Sequence, residues 1–221
     1  MLKIYGADLS SPANKVRFTA NVLGIDYEYI RVRLMKGEHL QEEFLKKHPA
    51  GKIPVIDDDG FVLFESGAII KYLARKKGSA LYPKSLKEQA LVDQWMDFIG
   101  IHIVLAVGKL LYNKIIAPMT KRPVDVQALK DGQRFLKRFL PVMDRQLKDR
   151  PFVCGETMTL ADITLLAALD PVEAVGETLE EYRYLGPWCA AMRKKDFYTR
   201  CHESYIRVLE DVRKQRVGSL A

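Results

Sequence analysis

The sequence contains few cysteines: only Cys154, Cys189 and Cys201 occur in 221 residues. Their odd number and wide spacing exclude both a disulfide framework and a C-x-x-C redox pair. The N-terminus, MLKIYGADLSS, lacks the pattern of a signal peptide. No apolar run is long enough to predict a membrane span. We therefore expect a reducing, cytoplasmic location and no interaction with a membrane.

The sequence also lacks a concentrated basic segment, although its formal net charge is +7. Lysine and arginine are spread along the chain, apart from small clusters at 194–195 and 213–216. A protein that binds nucleic acid more often gathers its basic residues on one face beside aromatic side chains. We therefore predict no nucleic-acid binding. The 48% of hydrophobic and 29% of charged residues are ordinary for a globular protein.

The most informative stretch is residues 48–75, HPAGKIPVIDDDGFVLFESGAIIKYLAR. It contains two short apolar segments separated by the Asp/Gly cluster at 57–60, a pattern that predicts a β-hairpin. The apolar residues that follow have helical spacing, with basic residues between them. The stretch therefore predicts a hairpin followed by an amphipathic helix.

Pro54 and Ser66 mark two places where this stretch could bind a ligand. Pro54 begins a strand and is a candidate for a cis peptide bond, which is nearly confined to proline. A kink there would leave the backbone N–H and C=O of Ile53 free to pair with a peptide. Ser66 begins a helix, whose unpaired N–H groups attract a carboxylate. A short acidic peptide would suit both, but Glu65 and Ser66 could equally be a simple helix cap, and Ile53 and Pro54 a simple strand start.

Before residue 78 the pattern predicts the element order β-α-β-α-β-β-α, which is that of a thioredoxin-like α/β domain. Residues 79–87 have the composition of a linker, and only helices are predicted after them. These helices are a long one at 87–117, apolar nearly all round in its middle and ended by a proline, and a second at 124–148 that Pro141 should kink or divide. Closing helices are predicted at 188–194 and 198–214.

A further helix start is predicted at 159–162, Thr-Leu-Ala-Asp. The Thr159 hydroxyl and the Asp162 carboxylate can each bond the backbone N–H of the other residue, which is a capping-box arrangement with Asp in the Glu position. We interpret both residues as folding residues rather than as chemical groups. The helix that they begin contains few polar residues and should be central to the helical domain.

Several of these segments, in order, resemble the glutathione transferase superfamily. They are P-A-G-K-I-P-V, D-D-G, F-E-S-G-A-I-I-K-Y-L and T-L-A-D-I-T. The G-E-H at 37–39 and the S-S-P-A-N-K-V at the first helix are most similar to the serine-type classes, theta and phi. The resemblance implies an α/β thioredoxin-like N-terminal domain at 1–78 and an all-α helical-bundle C-terminal domain at 88–221. It also implies a homodimer, glutathione as cosubstrate and no metal.

The resemblance assigns the ends of glutathione to particular residues. Ser66 and the helix N-terminus would receive the γ-glutamyl carboxylate, and Glu65 would pair with the α-amino group. The backbone of Ile53, fixed by Pro54, would pair with the cysteinyl unit.

The glycine carboxylate of glutathione would meet Lys52 and His39. Without the other residues that resemble the family, His39 would be interpreted as a solvated loop histidine. Phi-type sequences often carry lysine where this chain has Leu40. One ionic contact to glutathione is therefore expected to be absent.

Ser10 is the predicted catalytic residue, because it takes the position of the serine in the S-x-x-x-x-[KR]-V pattern of the theta and phi types. A hydroxyl there would stabilise the glutathione thiolate. The alternatives are Ser11, which we expect to cap the helix that begins at Pro12, and Tyr5 and Asn14. In the tyrosine-type classes the catalytic hydroxyl lies at the end of the first strand, and Tyr5 is one residue away from that position. Asn14 could support the thiolate indirectly, without touching it.

A hydrophobic electrophile is expected to bind between the two domains. The helical spacing of its candidate residues is also that of an ordinary core, and His102 by itself is more often an interior histidine than a catalyst. The predicted function is conjugation of glutathione to hydrophobic electrophiles, as in detoxification. The alternatives are another glutathione-dependent reaction (dehalogenation, peroxide reduction or isomerisation) and a non-catalytic glutathione-binding or protein-interaction module. The candidate residues of the electrophile site are Leu9, Ser11, Met35, Trp95, Phe98, His102 and Tyr112.

Overall fold

The computed structural model describes residues 1–218 of the chain, with side chains to residue 211. Two compact units are present: residues 1–83 together with the C-terminal segment from residue 195, and residues 84–194. The end of the predicted second domain, at 221, and the side chains of the basic cluster at 213–216 lie outside the described part of the chain.

The first unit is built on a four-stranded sheet with strand order β2-β1-β3-β4. β1 and β2 are parallel, and the other two pairs are antiparallel. The element order is the predicted β-α-β-α-β-β-α, which confirms the thioredoxin-like expectation. The elements are β1 (Leu2–Gly6), α1 (Ser11–Val22), β2 (Tyr27–Arg31), α2 (Glu42–Leu45), β3 (Val55–Asp58), β4 (Phe61–Phe64) and α3 (Ser66–Lys76).

The core of the first unit follows from the apolar pattern of its central elements. β1 alternates buried and half-buried residues, as a strand with one covered face does. α1 packs against both β1 and α3. The side chains at the centre, among them Ile4, Val16, Phe18, Ile56 and Ile69, are fully buried. This burial of apolar surface is the main term that holds α1 and α3 to the sheet.

The second unit is helical, as predicted. Its helices are α4 (Leu86–Phe98), α5 (Leu105–Leu111), α6 (Ala117–Met119), α7 (Val126–Gln146), α8 (Leu160–Leu169) and α9 (Leu185–Arg193). Two π-helical segments, Ile99–Val104 and Tyr112–Ile116, join α4, α5 and α6 into one helical rod. The rod continues past Pro118 to Met119, two residues beyond the predicted end at 117, so the prediction that this proline ends it was wrong.

Pro141 was predicted to kink or divide its helix; division was wrong, because α7 continues through it to Gln146. Leu136 and Leu140, on the N-terminal side of the proline, and Met143 beyond it are all buried. Because packed side chains anchor the helix on both sides of Pro141, the helix tolerates the loss of the backbone hydrogen bond that proline cannot donate.

The helical rod Leu86–Met119 also corrects an expectation about membranes. By length and composition alone it is long and apolar enough to cross a membrane, contrary to the expectation that no run approaches a span. The observation is weak, because the core helix of a soluble protein meets the same criterion. Of its most apolar window, 39% is buried inside the protein.

The predicted capping box at the start of α8 is confirmed. One oxygen of the Asp162 carboxylate accepts the Thr159 N–H at 2.8 Å and the Thr159 hydroxyl at 3.0 Å. The other oxygen accepts the N–H of Val153 at 2.8 Å. All ten residues of α8 are buried. Asp162 therefore joins a loop to the N-terminus of the central helix of this unit.

The C-terminal segment of the first unit adds α10 (Asp196–Thr199) and α11 (Tyr205–Gly218). The sequence predicted a single closing helix at 198–214, whereas the chain breaks between the two. α10 packs against α1, and the Asn21 side chain donates to the carbonyl of Phe197 at 2.8 Å. The C-terminal residues therefore contact the helix that follows the predicted catalytic loop.

Candidate functional site

The sheet topology brings the predicted glutathione-binding loops to one edge. At the ends of the strands Gly6 is paired with Arg31, Tyr5 with Val55, and Val55 with Phe64. The loops after β1, β2 and β4 therefore leave the sheet at the same edge at which the chain enters β3. These four segments carry Ser10, His39, Ile53 with Pro54, and Glu65 with Ser66.

Ser10 occupies the N-cap of α1, with extended backbone angles of φ −97° and ψ 102°. Its Oγ accepts the N–H of Ala13 at 3.3 Å. The expectation that Ser11 caps this helix was wrong, because Ser11 is already its first residue. Because the Oγ of Ser10 accepts in this bond, its own proton is free to be donated to another acceptor.

The other two candidates near Ser10 make contacts of their own. Asn14 is fully buried; its amide donates to the carbonyl of Asp8 at 2.9 Å and accepts from Arg17 at 3.1 Å. The ring of Tyr5 packs edge-on against Phe44, with centroids 6.3 Å apart. Asn14 therefore holds the loop that carries Ser10.

The chain enters β3 through a cis peptide bond between Ile53 and Pro54, as predicted. Ile53 is half-buried and Lys52 is exposed. Ahead of them His48 is buried, with its Nδ1 accepting the N–H of Ala50 at 3.2 Å. The chain thus turns sharply and presents Lys52 to solvent just before the strand begins.

His39 lies in a short 3₁₀ helix, Glu38–Leu40, which packs closely on this turn. A Cβ at Gly51 would lie 2.7 Å from the carbonyl oxygen of His39, and Gly51 has a φ of +57°. Only glycine accepts both that backbone angle and that contact. The His39 Nδ1 is buried without a hydrogen-bond partner among the described residues. Gly51 thus lets the loops of the two predicted carboxylate ligands, His39 and Lys52, lie against each other.

Glu65 stands at the N-cap of α3 with a φ of +66°, which is unusual for a residue other than glycine. Its carbonyl accepts the N–H of Ile69 at 2.9 Å, and its exposed side chain makes no capping bond. Such a backbone costs about 1–3 kcal/mol and is found mostly at functional sites. Ser66 is the first residue of α3, where backbone N–H groups have no partner within the helix.

Lys15 is a charged neighbour of Glu65 that the sequence analysis used only to align Ser10. Removal from water lowers the pKa of the Lys15 ammonium to about 8; the charge of Glu65 raises it and that of Lys71 lowers it. Lys15 of α1 is therefore close enough to Glu65 and to Lys71 of α3 to feel both charges. The lysine of the S-x-x-x-x-[KR]-V pattern was the available signal for Lys15.

The predicted electrophile residues fall in both units. In the first unit Met35 is 61% exposed, and the carbonyl of Leu9 accepts from the Tyr205 hydroxyl at 2.8 Å. In the second unit His102 stacks on Phe139, with ring centroids 4.4 Å apart, and Phe98 lies 4.9 Å from His102. Tyr112, in the second π-helical segment, is 40% exposed. His102 is therefore a half-buried member of an aromatic cluster.

The fold and the site define a two-part protein in which a thioredoxin-like unit presents a hydroxyl, a strand entrance and a helix N-terminus at one edge. The glutathione S-transferase N-terminal domain matches residues 4–80, and the glutathione S-transferase C-terminal domain matches residues 109–196. Glutathione S-transferase F10 of Arabidopsis thaliana is 34% identical over 169 residues, which are 75% of this chain and 78% of that protein. Glutathione S-transferase 1 of Zea mays is 29% identical over 200 residues, which are 88% of this chain and 92% of that protein.

The solved structure of glutathione transferase F2 from Populus trichocarpa superposes with a TM-score of 0.84 at 26% identity. The match covers 91% of this chain and 97% of that one. The chain belongs to the glutathione S-transferase family, and its transferase activity and its serine-type, phi-like class agree with the sequence analysis.

Proposed function

We propose that this transferase conjugates the glutathione thiolate to hydrophobic electrophiles, with Ser10 as the hydroxyl that stabilises the thiolate. A free thiol has a pKa of about 8.5, so only about 3% is ionised at pH 7. Lowering that pKa by two units requires about 2.7 kcal/mol. One hydroxyl hydrogen bond to an anion supplies about 1.5–3 kcal/mol.

The observation that carries this proposal is the capping bond of Ser10. The hydroxyl accepts the Ala13 N–H and so keeps its proton for a thiolate. A hydroxyl that accepts one hydrogen bond is also polarised towards donating another. The first turn of α1 adds N–H groups whose dipoles favour an anion near Ser10.

Glutathione itself would lie along the edge described above. Its γ-glutamyl carboxylate would bind Ser66 and the N-terminus of α3, with Glu65 pairing with the α-amino group. The strained φ of Glu65 and the unpaired N–H groups that follow it support this placement. The γ-glutamyl end, which carries two charges, would thus be held at the start of α3.

The cysteinyl unit would pair with the backbone of Ile53, and the glycine carboxylate would meet Lys52 and His39. The close contact between the loops of Lys52 and His39 supports this part. Leu40 is 62% exposed and adds no charge there. The binding is therefore expected to depend on two basic groups rather than three.

We also propose a cytoplasmic homodimer that acts in detoxification. Apolar side chains are exposed in both units: Phe61, at 50%, in the first, and Ile101 and Leu105, at 58% and 59%, in the second. Large exposed apolar surfaces are typical of a protein interface. The free thiols of Cys154, Cys189 and Cys201 suit a reducing compartment.

The test of the catalytic proposal is the ultraviolet absorbance of the thiolate of bound glutathione, measured against pH. In the wild type we expect the bound thiol to titrate about two units below the free thiol. Ser10→Ala should bind glutathione yet titrate near the free value, with a loss of turnover at pH 7 of about tenfold or more. A thiol that titrates as in free solution in both proteins would favour the non-catalytic module.

Two controls separate the thiolate contact from the helix cap. Ser11→Ala removes the neighbouring hydroxyl and should leave the thiol titration unchanged. Ser10→Asp keeps a capping oxygen for α1 but places a negative charge beside the thiolate, so the thiol should titrate at or above the free value. If Ser11→Ala, and not Ser10→Ala, abolishes the shift, Ser11 is the thiolate partner.

A further inference from the structure

The peptide group between Leu9 and Ser10 is hydrogen-bonded on both sides. Its carbonyl accepts from the hydroxyl of Tyr205, which is 196 residues away in the sequence, at 2.8 Å. Its N–H, which belongs to Ser10, donates to the carbonyl of Ala7 at 2.9 Å. Tyr205 is only 2% exposed, and Leu9 is half-buried. The plane of the peptide that precedes Ser10 is therefore fixed.

Arg17 makes a second connection between the same loop and the C-terminal segment. Its guanidinium donates to the carbonyl of Cys201 at 2.6 Å and reaches the carboxylate of Asp8 at 3.5 Å. Arg17 is 6% exposed, and its guanidinium lies over the ring of Tyr29 at 4.1 Å. Asp8 is thereby joined to Cys201 through one buried cation.

An open cleft of about 590 Å³ lies on this side of the loop, lined by Asp8, Arg17, Cys201 and His202 among others. Because the cleft leaves room beside Asp8, the loop could shift towards it if its hydrogen bonds were cut. The loop is restrained there by the bonds at Leu9 and Asp8, and Asp8 accepts from Asn14 and Arg31 as well as from Arg17.

We propose that Tyr205 and Arg17 are positioning residues that hold Ser10 in the geometry needed to donate its proton. The inference rests on the proposed function of Ser10. A hydrogen bond weakens steeply when its angle or length changes, and a displacement of about 1 Å can reduce a rate a hundredfold. Residues of the C-terminal segment would thus affect the reaction without touching either substrate.

The test compares Tyr205→Phe with Tyr72→Phe, again by the thiolate absorbance of bound glutathione against pH. Tyr72 is a matched control, because its hydroxyl donates to Asp58 at 2.6 Å within the same unit. Asp58 pairs with Leu2, at the opposite end of β1 from the loop of Ser10. Each variant therefore removes one tyrosine hydroxyl and its hydrogen bond.

For Tyr205→Phe we expect the thiol to titrate about one unit higher, with about tenfold less thiolate at low pH and a similar fall in kcat. The KM for glutathione should stay within about twofold, and activity should recover at high pH, where the thiol ionises unaided. Tyr72→Phe should titrate as the wild type does. If the Tyr205 bond only stabilised the fold, Tyr205→Phe would lower the melting temperature without changing the pKa of the bound thiol.

The outcomes separate this inference from the proposed function. If the wild type lowers the thiol pKa and Tyr205→Phe does so equally, the positioning role is wrong and the role of Ser10 stands. If the wild type does not lower the pKa of the bound thiol, the positioning role of Tyr205 and the proposed role of Ser10 both fail. Should Tyr205→Phe fail to fold, Arg17→Lys keeps a buried cation but cannot bond Cys201, Asn14 and Asp8 together, and it should raise the thiol pKa in the same way.

Discussion

At the scale of single residues, the site depends on positions whose importance lies in a contact with another loop. Gly51 is the clearest case, because its φ of +57° and its approach to the His39 carbonyl both require the absence of a Cβ. The sequence marked Gly51 as part of a P-A-G-K-I-P-V segment. It could not show that the neighbour of Gly51 would be a carbonyl twelve positions earlier in the chain.

Gly51→Ala should therefore destabilise the protein and weaken glutathione binding. The added Cβ would meet the His39 carbonyl oxygen at 2.7 Å, so the loop of His39 must move. We expect the dissociation constant for glutathione to rise about tenfold, together with a loss of about 2–4 kcal/mol in the free energy of unfolding. Isothermal calorimetry and urea denaturation measure the two effects.

The matched control for Gly51 is Gly24→Ala. Gly24 has a similar φ of +60°, but nothing lies within 4 Å of its added Cβ. It should therefore show only the backbone strain of about 1–2 kcal/mol, with unchanged glutathione binding. Equal effects of the two substitutions would mean that the His39 contact contributes nothing.

At the scale of elements, the helix starts were the most predictable features, because their signals are local. The capping box at Thr159 and Asp162 is confirmed, since its two residues lie three positions apart. The bond from Val153 to Asp162 could not be predicted, because it comes from a loop with no signal of its own. The cap of α1 was assigned to Ser11 instead of Ser10, because adjacent serines present the same chemistry to a helix start.

Asp162 should make the stability of the protein depend on pH. Burial raises the pKa of its carboxyl from 3.8 to about 6, against the effect of the hydrogen bonds from Val153 and Thr159. The folded protein therefore binds this proton more tightly than the unfolded chain does. The contribution of Asp162 to the free energy of unfolding is fully present below about pH 4. It falls by up to about 3 kcal/mol as the pH rises through 6.

Urea denaturation of the wild type and Asp162→Asn at several values of pH measures this contribution. The variant should be less stable at every pH, because an amide cannot accept all three hydrogen bonds. The difference in the free energy of unfolding between the two proteins should narrow as the pH rises from 4 to 6. Asp97→Asn, at an exposed position, provides the baseline. A gap that widens over this range would show that the hydrogen bonds outweigh burial and keep Asp162 ionised.

At the scale of the whole molecule, the exposed apolar side chains of the long helical rod require an explanation. Ile101 and Leu105, in its apolar middle, are more than half exposed. The proposed homodimer would cover them. Leu105→Asp should then convert a particle of about twice 25.3 kDa into one of 25.3 kDa in light scattering.

Val126→Asp is the control for this prediction, because Val126 is also an exposed apolar residue, at 60%, but begins α7. It should leave the mass unchanged. A wild type that is already monomeric would refute the homodimer. A dimer that survives Leu105→Asp would place the interface elsewhere than on the rod, and equal dissociation by both substitutions would mean that the effect is not specific to the rod.

The sequence by itself determined the order of elements, the class of each unit and the family, because these depend on hydrophobic periodicity, turn residues and short contiguous segments. Only the tertiary structure decided which atoms surround Ser10. The bonds from Tyr205 to Leu9 and from Arg17 to Cys201 join residues far apart in the chain. No local pattern encodes such a pair, because each partner gains its role only when the C-terminal segment packs beside the loop that carries Ser10.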